Sequence, residues 1–225
     1  MHGIPKFLLP VSGGLKCLLD YHVSLMAGHV DYILIPTRPE WASLLESFQF
    51  GDHVRILTVE TETMAETVAR ALDTVTFDTC VLGMPDTYFF GGNPYRDLAT
   101  VAKADVNLAV FSTREEQVGR MGSVLLGESD HVTAHADKNP DSDFGTHWGV
   151  IEFTEPVAKM LDPRAATGGQ IITEALSQGL DVRGFLASYP YFDCGTFEEY
   201  LQCIAGVNLP GGYRDFVETG AARAN

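Results

Sequence analysis

Thr79-Cys80-Val81-Leu82-Gly83-Met84-Pro85-Asp86 is the stretch on which the fold turns. Its short apolar run, stopped by Pro85, predicts a buried strand over Thr79–Gly83. Asp86 then emerges at the carboxyl end of that strand, where open α/β sheets bind ligands. An aspartate at such a turn serves a local cap just as readily, so its position alone leaves both roles open.

Working back from this strand, residue types alternate in period. Leu15, Leu18, Leu19, Val23 and Met26 recur at helical spacing and predict a helix over 15–28, closed by Gly28. A strand over 30–36, a helix over 39–48, a strand over 54–59 and a helix over 62–72 follow. Strand and helix in alternation predict a parallel, helix-covered sheet. Working forward, a helix over 94–104 and a strand over 106–112 lead into two short strands, over 122–126 and 131–136. A strand over 148–153, helices over 155–161 and 169–179, a strand over 182–187 and a helix from about Thr196 complete the chain. The fold class is therefore α/β, a Rossmann-like, mixed and mainly parallel sheet covered by helices, with a β-rich insertion in the second half.

The 225 residues fit one large domain or two small ones. No repeat or low-complexity linker divides them, so one domain over 1–225 is expected, with halves of about 1–105 and 106–205 and a tail over 206–225. Hydrophobic residues at 45% and charged residues at 20% exclude a disordered segment or a coiled coil. Fifteen basic against 30 acidic residues give a net charge of −15, which argues against a nucleic-acid partner. An anionic substrate would need a metal ion or local basic groups to offset that field. The apolar runs at 32–36 and 106–111 are far too short to span a membrane, and the start lacks the basic-then-apolar order of a secretion signal. A cytoplasmic protein without membrane attachment is expected. Cys17, Cys80, Cys194 and Cys203 show no Cys-x-x-Cys spacing and read as reduced core residues.

A second aspartate shares the address of the first. Asp193 follows Tyr191-Phe192 and precedes Cys194-Gly195-Thr196, a strand end that turns through glycine into a helix capped by Thr196, with Glu198 and Glu199 in its first turn. Two carboxylates on one rim of a sheet can hold Mg²⁺, which completes its shell with water and substrate phosphates.

At these residues the sequence resembles the sugar-1-phosphate nucleotidyltransferases, the pyrophosphorylases that make nucleotide sugars. Pro5-Lys6-Phe7-Leu8-Leu9-Pro10-Val11 is similar to the family's PKPLLPV segment, and Val81 to Phe89 to its strand ending in a metal aspartate. Met121-Gly122-Ser123-Val124 resembles YGVV, Ala136-Asp137-Lys138-Asn139-Pro140 the EKP segment, and Gln170 to Leu176 the E-I-T-D-A segment. Tyr191-Phe192-Asp193-Cys194-Gly195-Thr196-Phe197-Glu198-Glu199-Tyr200 resembles W-x-D-x-G-T-x-E-D-Y. The resemblance implies a glycosyltransferase-A-like fold and a Mg²⁺-dependent joining of a nucleoside triphosphate to a sugar 1-phosphate, and leaves room for a homo-oligomer. It implies that Asp86 and Asp193 hold the metal, that Lys6 neutralises the triphosphate, and that Lys138 binds the sugar phosphate. Gly122 would give close backbone access, with Asp137 or Glu174 accepting hydroxyl hydrogen bonds. Trp148 is a further candidate for the sugar pocket, or else a buried core tryptophan. Phe89-Phe90-Gly91-Gly92 reads either as a loop over the substrate or as a plain turn. His131 and His135, four apart on a strand, are too far separated for a metal pair.

Two departures shape the expectation. The family's opening strand and G-G-x-G-x-R phosphate loop have no counterpart before Met1-His2-Gly3-Ile4-Pro5, and Ser12-Gly13-Gly14 comes too late to replace them; it reads as a tight turn. A gap near the middle of the sheet follows. Thr63-Met64 stands where the family has Gly-Thr of a P-x-G-T-A stretch, which crowds the nucleotide side. The chain thus either starts inside a longer enzyme or is a nucleotidyltransferase-like protein that binds sugar phosphates or nucleotide sugars in a regulatory role. A glycosyltransferase on the related fold is the remaining alternative.

Overall fold

A computed structural model describes residues 5–12, 16–141 and 144–208. Pro10–Ser12 (β1) and Lys16–Cys17 (β2) form a small antiparallel pair. The helix expected from residue 15 begins later, at Leu18–Met26 (α1), because β2 takes its first residues; Gly28 then adopts φ +80°, as its C-terminal place requires. Of the tight turn expected at Ser12-Gly13-Gly14, Ser12 ends β1 and the two glycines lie outside the described residues. Ile33–Thr37 (β3), Pro39–Glu46 (α2), Val54–Thr58 (β4), Met64–Leu72 (α3) and Thr79–Gly83 (β5) keep the expected alternation. Helix α3 starts at a cap, where Thr63 Oγ1 accepts from the Glu66 N–H at 3.0 Å.

Thr87–Phe89 (β6) precedes Pro94–Leu98 (α4), which is half the length expected from 94–104. Thr100 donates both its N–H and its hydroxyl to the Asp97 carbonyl, at 3.1 and 2.7 Å, and so closes the helix early. Val106–Ser112 (β7), Gly122–Leu126 (β8), Val132–Asp137 (β9) and Thr146–Thr154 (β10) follow, then Glu155–Ala158 (α5) and Gln170–Ser177 (α6). Val182–Leu186 (β11), Tyr191–Asp193 (β12) and Phe197–Asn208 (α7) end the described chain.

The main sheet is mixed, in the order β11-β7-β10-β8-β9, with β5 also on β10. Strands β11 and β7 run parallel, whereas β10 runs antiparallel to β7, β5 and β8. Strand β10 is the hub: its second half pairs with β5 from Val150↔Gly83 to Thr154↔Thr79, and its first half meets β8 at His147↔Ser123. Every residue from Val106 to Phe111 of β7 is buried, as a strand covered on both faces must be. Leu108, Val110, Ile151 and Phe153 join Ile171, Ile172 and Ala175 of α6 in the largest apolar cluster. No described helix is long and apolar enough to cross a membrane.

Strands β3 and β4 pair in parallel with each other and, among the described residues, with no other strand. Between β3 and β5 lies a groove of about 580 Å³, lined by Ile33, Leu34 and Pro36 on one side and Cys80, Val81 and Leu82 on the other. Helix α3 borders this groove through Val68 and Ala71.

Ile151, fully buried at the centre of β10, carries this architecture. Ile151→Ala is expected to lower unfolding free energy by about 2–5 kcal/mol. Leu125→Ala, at a residue 41% exposed on β8, should change it by less than about 0.5 kcal/mol, with urea denaturation as the measure of both.

Candidate active site

The two aspartates meet because β6 pairs antiparallel with β12. The register sets Asp193 opposite Thr87 and Tyr191 opposite Phe89, so Asp86, one residue before β6, lies beside the last residue of β12. Strand β6 is in turn pinned from α1. Tyr21 donates its hydroxyl to the Phe89 carbonyl at 2.6 Å and accepts the Phe89 N–H at 3.1 Å. Buried His22 places Nε2 2.9 Å from the Thr87 carbonyl and Nδ1 2.7 Å from the Tyr95 hydroxyl. A carbonyl only accepts, so Nε2 carries the proton and Nδ1 accepts from Tyr95. Burial holds this imidazole neutral, pushing its pKa down to about 4.

Gly195 shapes the space between the carboxylates. A Cβ at this position would come within 2.6 Å of Asp193 Oδ1, 3.0 Å of Lys6 Nζ and 3.1 Å of Asp86 Oδ2. Three charged tips thus converge on a point that only a glycine leaves open. Lys6 reaches there from a short 3-10 turn, Lys6–Leu8, anchored by the buried Leu9 and Val11 that follow it, and stands 3.8 Å from Asp86 Oδ2. Burial and the neighbouring Asp193 charge raise the pKa of Asp86, against the opposing pull of Lys6 and Lys138. A carboxylate in that state is short of positive charge. No third His, Cys, Asp or Glu joins the pair among the described residues. Two carboxylates with open space between them are the donor set that Mg²⁺ takes when water and phosphate oxygens supply the rest.

The opposite wall comes from the β8–β9 hairpin and from β10. Gly122 pairs with Asp137 in register, and Lys138 follows in the left-handed region at φ +49°, its N–H bonded to the Met121 carbonyl at 3.1 Å. A shift of register between Trp148 and Val150 turns Trp148 toward this hairpin, where a Cβ on Gly122 would strike the indole nitrogen at 2.0 Å. The indole N–H is buried without a hydrogen-bond partner. Asp137 Oδ2 accepts from Thr167 at 2.6 Å. Lys6, Asp86, Gly122, Asp137, Lys138, Trp148 and Asp193 all line one cavity of about 220 Å³.

Glu174 does not line it. On α6 its carboxylate accepts from Gln178, one turn along its own helix, at 2.8 Å. Phe89 is buried in β6, and Phe90 donates its N–H to the Pro190 carbonyl at 2.9 Å, so 89–92 forms a tied turn away from the cavity. His131 faces Asp181 and His135 faces Thr173, in separate places. The four cysteines are unbridged, and Cys17, Cys194 and Cys203 are buried.

Sequence reasoning missed Arg120, which directly precedes Met121-Gly122 and whose guanidinium enters the cavity 3.2 Å from Asp193 Oδ2. A lone basic residue beside a glycine motif in an acidic chain was the available signal. Behind it, Glu199 is buried, 1% exposed, and its Oε2 accepts from Arg114 at 2.7 Å, Gln117 at 2.8 Å and the Asp193 N–H at 2.9 Å. Glu199 is the first-turn acid read from the sequence, and from that place it also braces the backbone of Asp193.

No protein-family description and no curated protein matches the chain. Solved structures do. A glucose-1-phosphate thymidylyltransferase from Bacillus anthracis, described as putative and solved in complex with a sucrose, is 21% identical with a TM-score of 0.74 over 91% of this chain and 87% of its own. UDP-glucose pyrophosphorylase from Acinetobacter baumannii is 16% identical with a TM-score of 0.70 over 98% and 92%. HddC from Yersinia pseudotuberculosis is 15% identical with a TM-score of 0.68 over 90% and 89%, and was also solved with GMP-PN. At these identities the likeness is one of fold, and the expected fold class is the one found.

The neutral state of His22 sets a pH dependence. Its folded pKa of about 4 lies below the ordinary 6.5, so the unfolded chain binds the proton first, and stability is lost as pH falls from about 6.5 toward about 4. The expected slope from this group approaches 1.4 kcal/mol per pH unit, about one proton. Denaturant unfolding at a series of pH values should show His22→Asn less stable at pH 7 but with a shallower loss on acidification.

Proposed function

We propose that the chain is a sugar-1-phosphate nucleotidyltransferase, a Mg²⁺-dependent enzyme that joins a nucleoside triphosphate to a sugar 1-phosphate and releases pyrophosphate. The observation that carries the reading is the convergence of Asp86, Asp193 and Lys6 on the open face of Gly195, with Lys138 on the same cavity. The likeness of fold to pyrophosphorylases and thymidylyltransferases supports it.

The reaction has modest demands. A phosphate oxygen of the sugar 1-phosphate attacks the α-phosphorus in line, a new P–O bond forms, and the bond from the α-phosphorus to the bridging oxygen breaks, with its electrons leaving on pyrophosphate. The nucleophile is already an anion, so no general base is required, and catalysis reduces to positioning and charge neutralisation. Mg²⁺ held by Asp86 and Asp193 would supply that neutralisation where the reacting phosphates meet. Lys6 offsets the triphosphate charge on one side. Lys138 binds the sugar phosphate on the other, with the Gly122 backbone open to close approach. Asp137 accepts a sugar hydroxyl, and the unpartnered Trp148 N–H offers a donor to another. The cavity draws on both halves of the chain, about 1–105 and 106–205, which act as one unit. A cytoplasmic location, where both substrates are found, goes with the reading.

One observation favours a second reading. Met64 intrudes on the cavity, and its methyl group lies 2.5 Å from where a Cβ of Gly168 would be. A protein crowded on its nucleotide side would bind sugar phosphates without turning them over.

Both readings meet one experiment. Incubated with Mg²⁺ and pairs of nucleoside triphosphates and sugar 1-phosphates, the chain is expected to release pyrophosphate from at least one pair. Asp86→Asn and Asp193→Asn should each lower that rate by about 100-fold or more, with the circular dichroism unchanged. Release from no pair would overturn the enzymatic reading, and a sugar phosphate that raised the melting temperature without turnover would establish the second.

A further inference from the structure

Arg120 has two acceptors in reach of one nitrogen. Its Nη1 is anchored to the Glu116 carbonyl at 3.1 Å, while Nη2 lies 3.2 Å from Asp193 Oδ2 and 3.6 Å from Glu199 Oε1. The two carboxylates are unequally served. Asp193 Oδ1 has the Gly195 N–H at 3.0 Å, so Oδ2 depends on Arg120. Glu199 Oε2 takes three donors, whereas Oε1 is buried with no hydrogen bond. A buried carboxylate oxygen without a donor, a few tenths of an ångström beyond bonding distance from a guanidinium, is an unfilled acceptor aimed at that group.

We propose that Arg120 is a positioning residue that acts as a removable cation plug: it neutralises Asp193 while the carboxylate pair is free, and passes to Glu199 Oε1 when a divalent cation takes Asp193. The inference rests on the reading of Asp86 and Asp193 as cation ligands. A guanidinium and a divalent cation cannot both occupy Asp193 Oδ2 closely, since they repel. Glu199 supplies the alternative acceptor, and because its other oxygen holds the Asp193 N–H, the transfer leaves the Asp193 backbone in place. The Nη1 anchor lets Nη2 shift without moving the strand. Arg114 bonds Glu116, the Tyr191 carbonyl and Glu199 Oε2, and does not bond Oε1. The apparent affinity for the cation is then set by competition with Arg120.

The test is Mn²⁺ binding to the full chain, followed by calorimetry and by the electron paramagnetic resonance of free Mn²⁺. Arg120→Met should bind Mn²⁺ about tenfold more tightly than the wild type, a coupling of ordinary allosteric size. Arg120→Lys, which keeps the charge, should stay nearer the wild type. Glu199→Gln should weaken binding several-fold, and the double variant should match Arg120→Met, because Glu199 acts through Arg120. Should Glu199→Gln fail to fold, the comparison of Met and Lys at 120 decides alone. A brace that merely stabilised the loop would lower the melting temperature of Arg120→Met without tightening Mn²⁺ binding, and unchanged or weaker binding would overturn the proposal. Loss of Mn²⁺ binding in Asp86→Asn assigns the signal to this site. If Arg120→Met tightens binding but no pyrophosphate forms, the plug stands and the enzymatic reading falls. If neither protein binds Mn²⁺, the plug falls with the cation site.

Discussion

Three residue pairs between β6 and β12 hold the candidate site together. These strands lie about a hundred residues apart in sequence, and each is only three residues long, so their ladder would be marginal by itself. It persists because both strands are packed into apolar clusters: Phe89 and Tyr191 with Phe111 and Val150 on one side, Phe192 and Cys194 with Leu9, Val11 and Leu18 on the other. The antiparallel register then sets Asp193 opposite Thr87 and next to Asp86. A slip of one residue would send Asp193 to the other face, and the pair would not exist.

Around that ladder lie polar contacts that an apolar core would not need. His22 and Tyr21 hold β6 from α1, and Arg114, Gln117 and Glu199 hold β12 from the loop after β7 and from α7. Their partners are mostly backbone groups, so they constrain the main chain on either side of Asp86 and Asp193. The acidity of the chain changes meaning here. A net charge of −15 argues against polyanionic partners, yet the cavity gathers Lys6, Lys138 and Arg120 around Asp86, Asp137 and Asp193. The local field differs from the global one.

The strand-helix alternation, the strand at Thr79–Gly83 and the glycine that ends α1 were legible because each is a local pattern: an apolar period, a breaker, a left-handed residue. The site motifs were legible too, since Lys6, Asp86, Gly122, Asp137, Lys138, Trp148 and Asp193 sit at strand ends or turns where side chains leave the core, and all of them line the cavity. Glu174 was read by motif and does not line the cavity, because where α6 sets its side chains depends on how that helix packs on β9. The length of α4 was misjudged because one threonine closing on Asp97 outweighs helical periodicity over a few residues. Arg120 and Glu199 were missed because their roles exist only as distances to Asp193.

By itself the sequence determined the kind of sheet and the residues that stand at its rim, since period and turn chemistry act over a few neighbours. Tertiary structure alone decided the rest: β10 as hub, the open groove between β3 and β5, the meeting of Asp86, Asp193 and Lys6 at the bare face of Gly195, and the contact of Arg120 with Asp193. Those features depend on strand pairing and burial between distant segments, where the hydrogen-bond partners of a backbone are chosen by what packs over them.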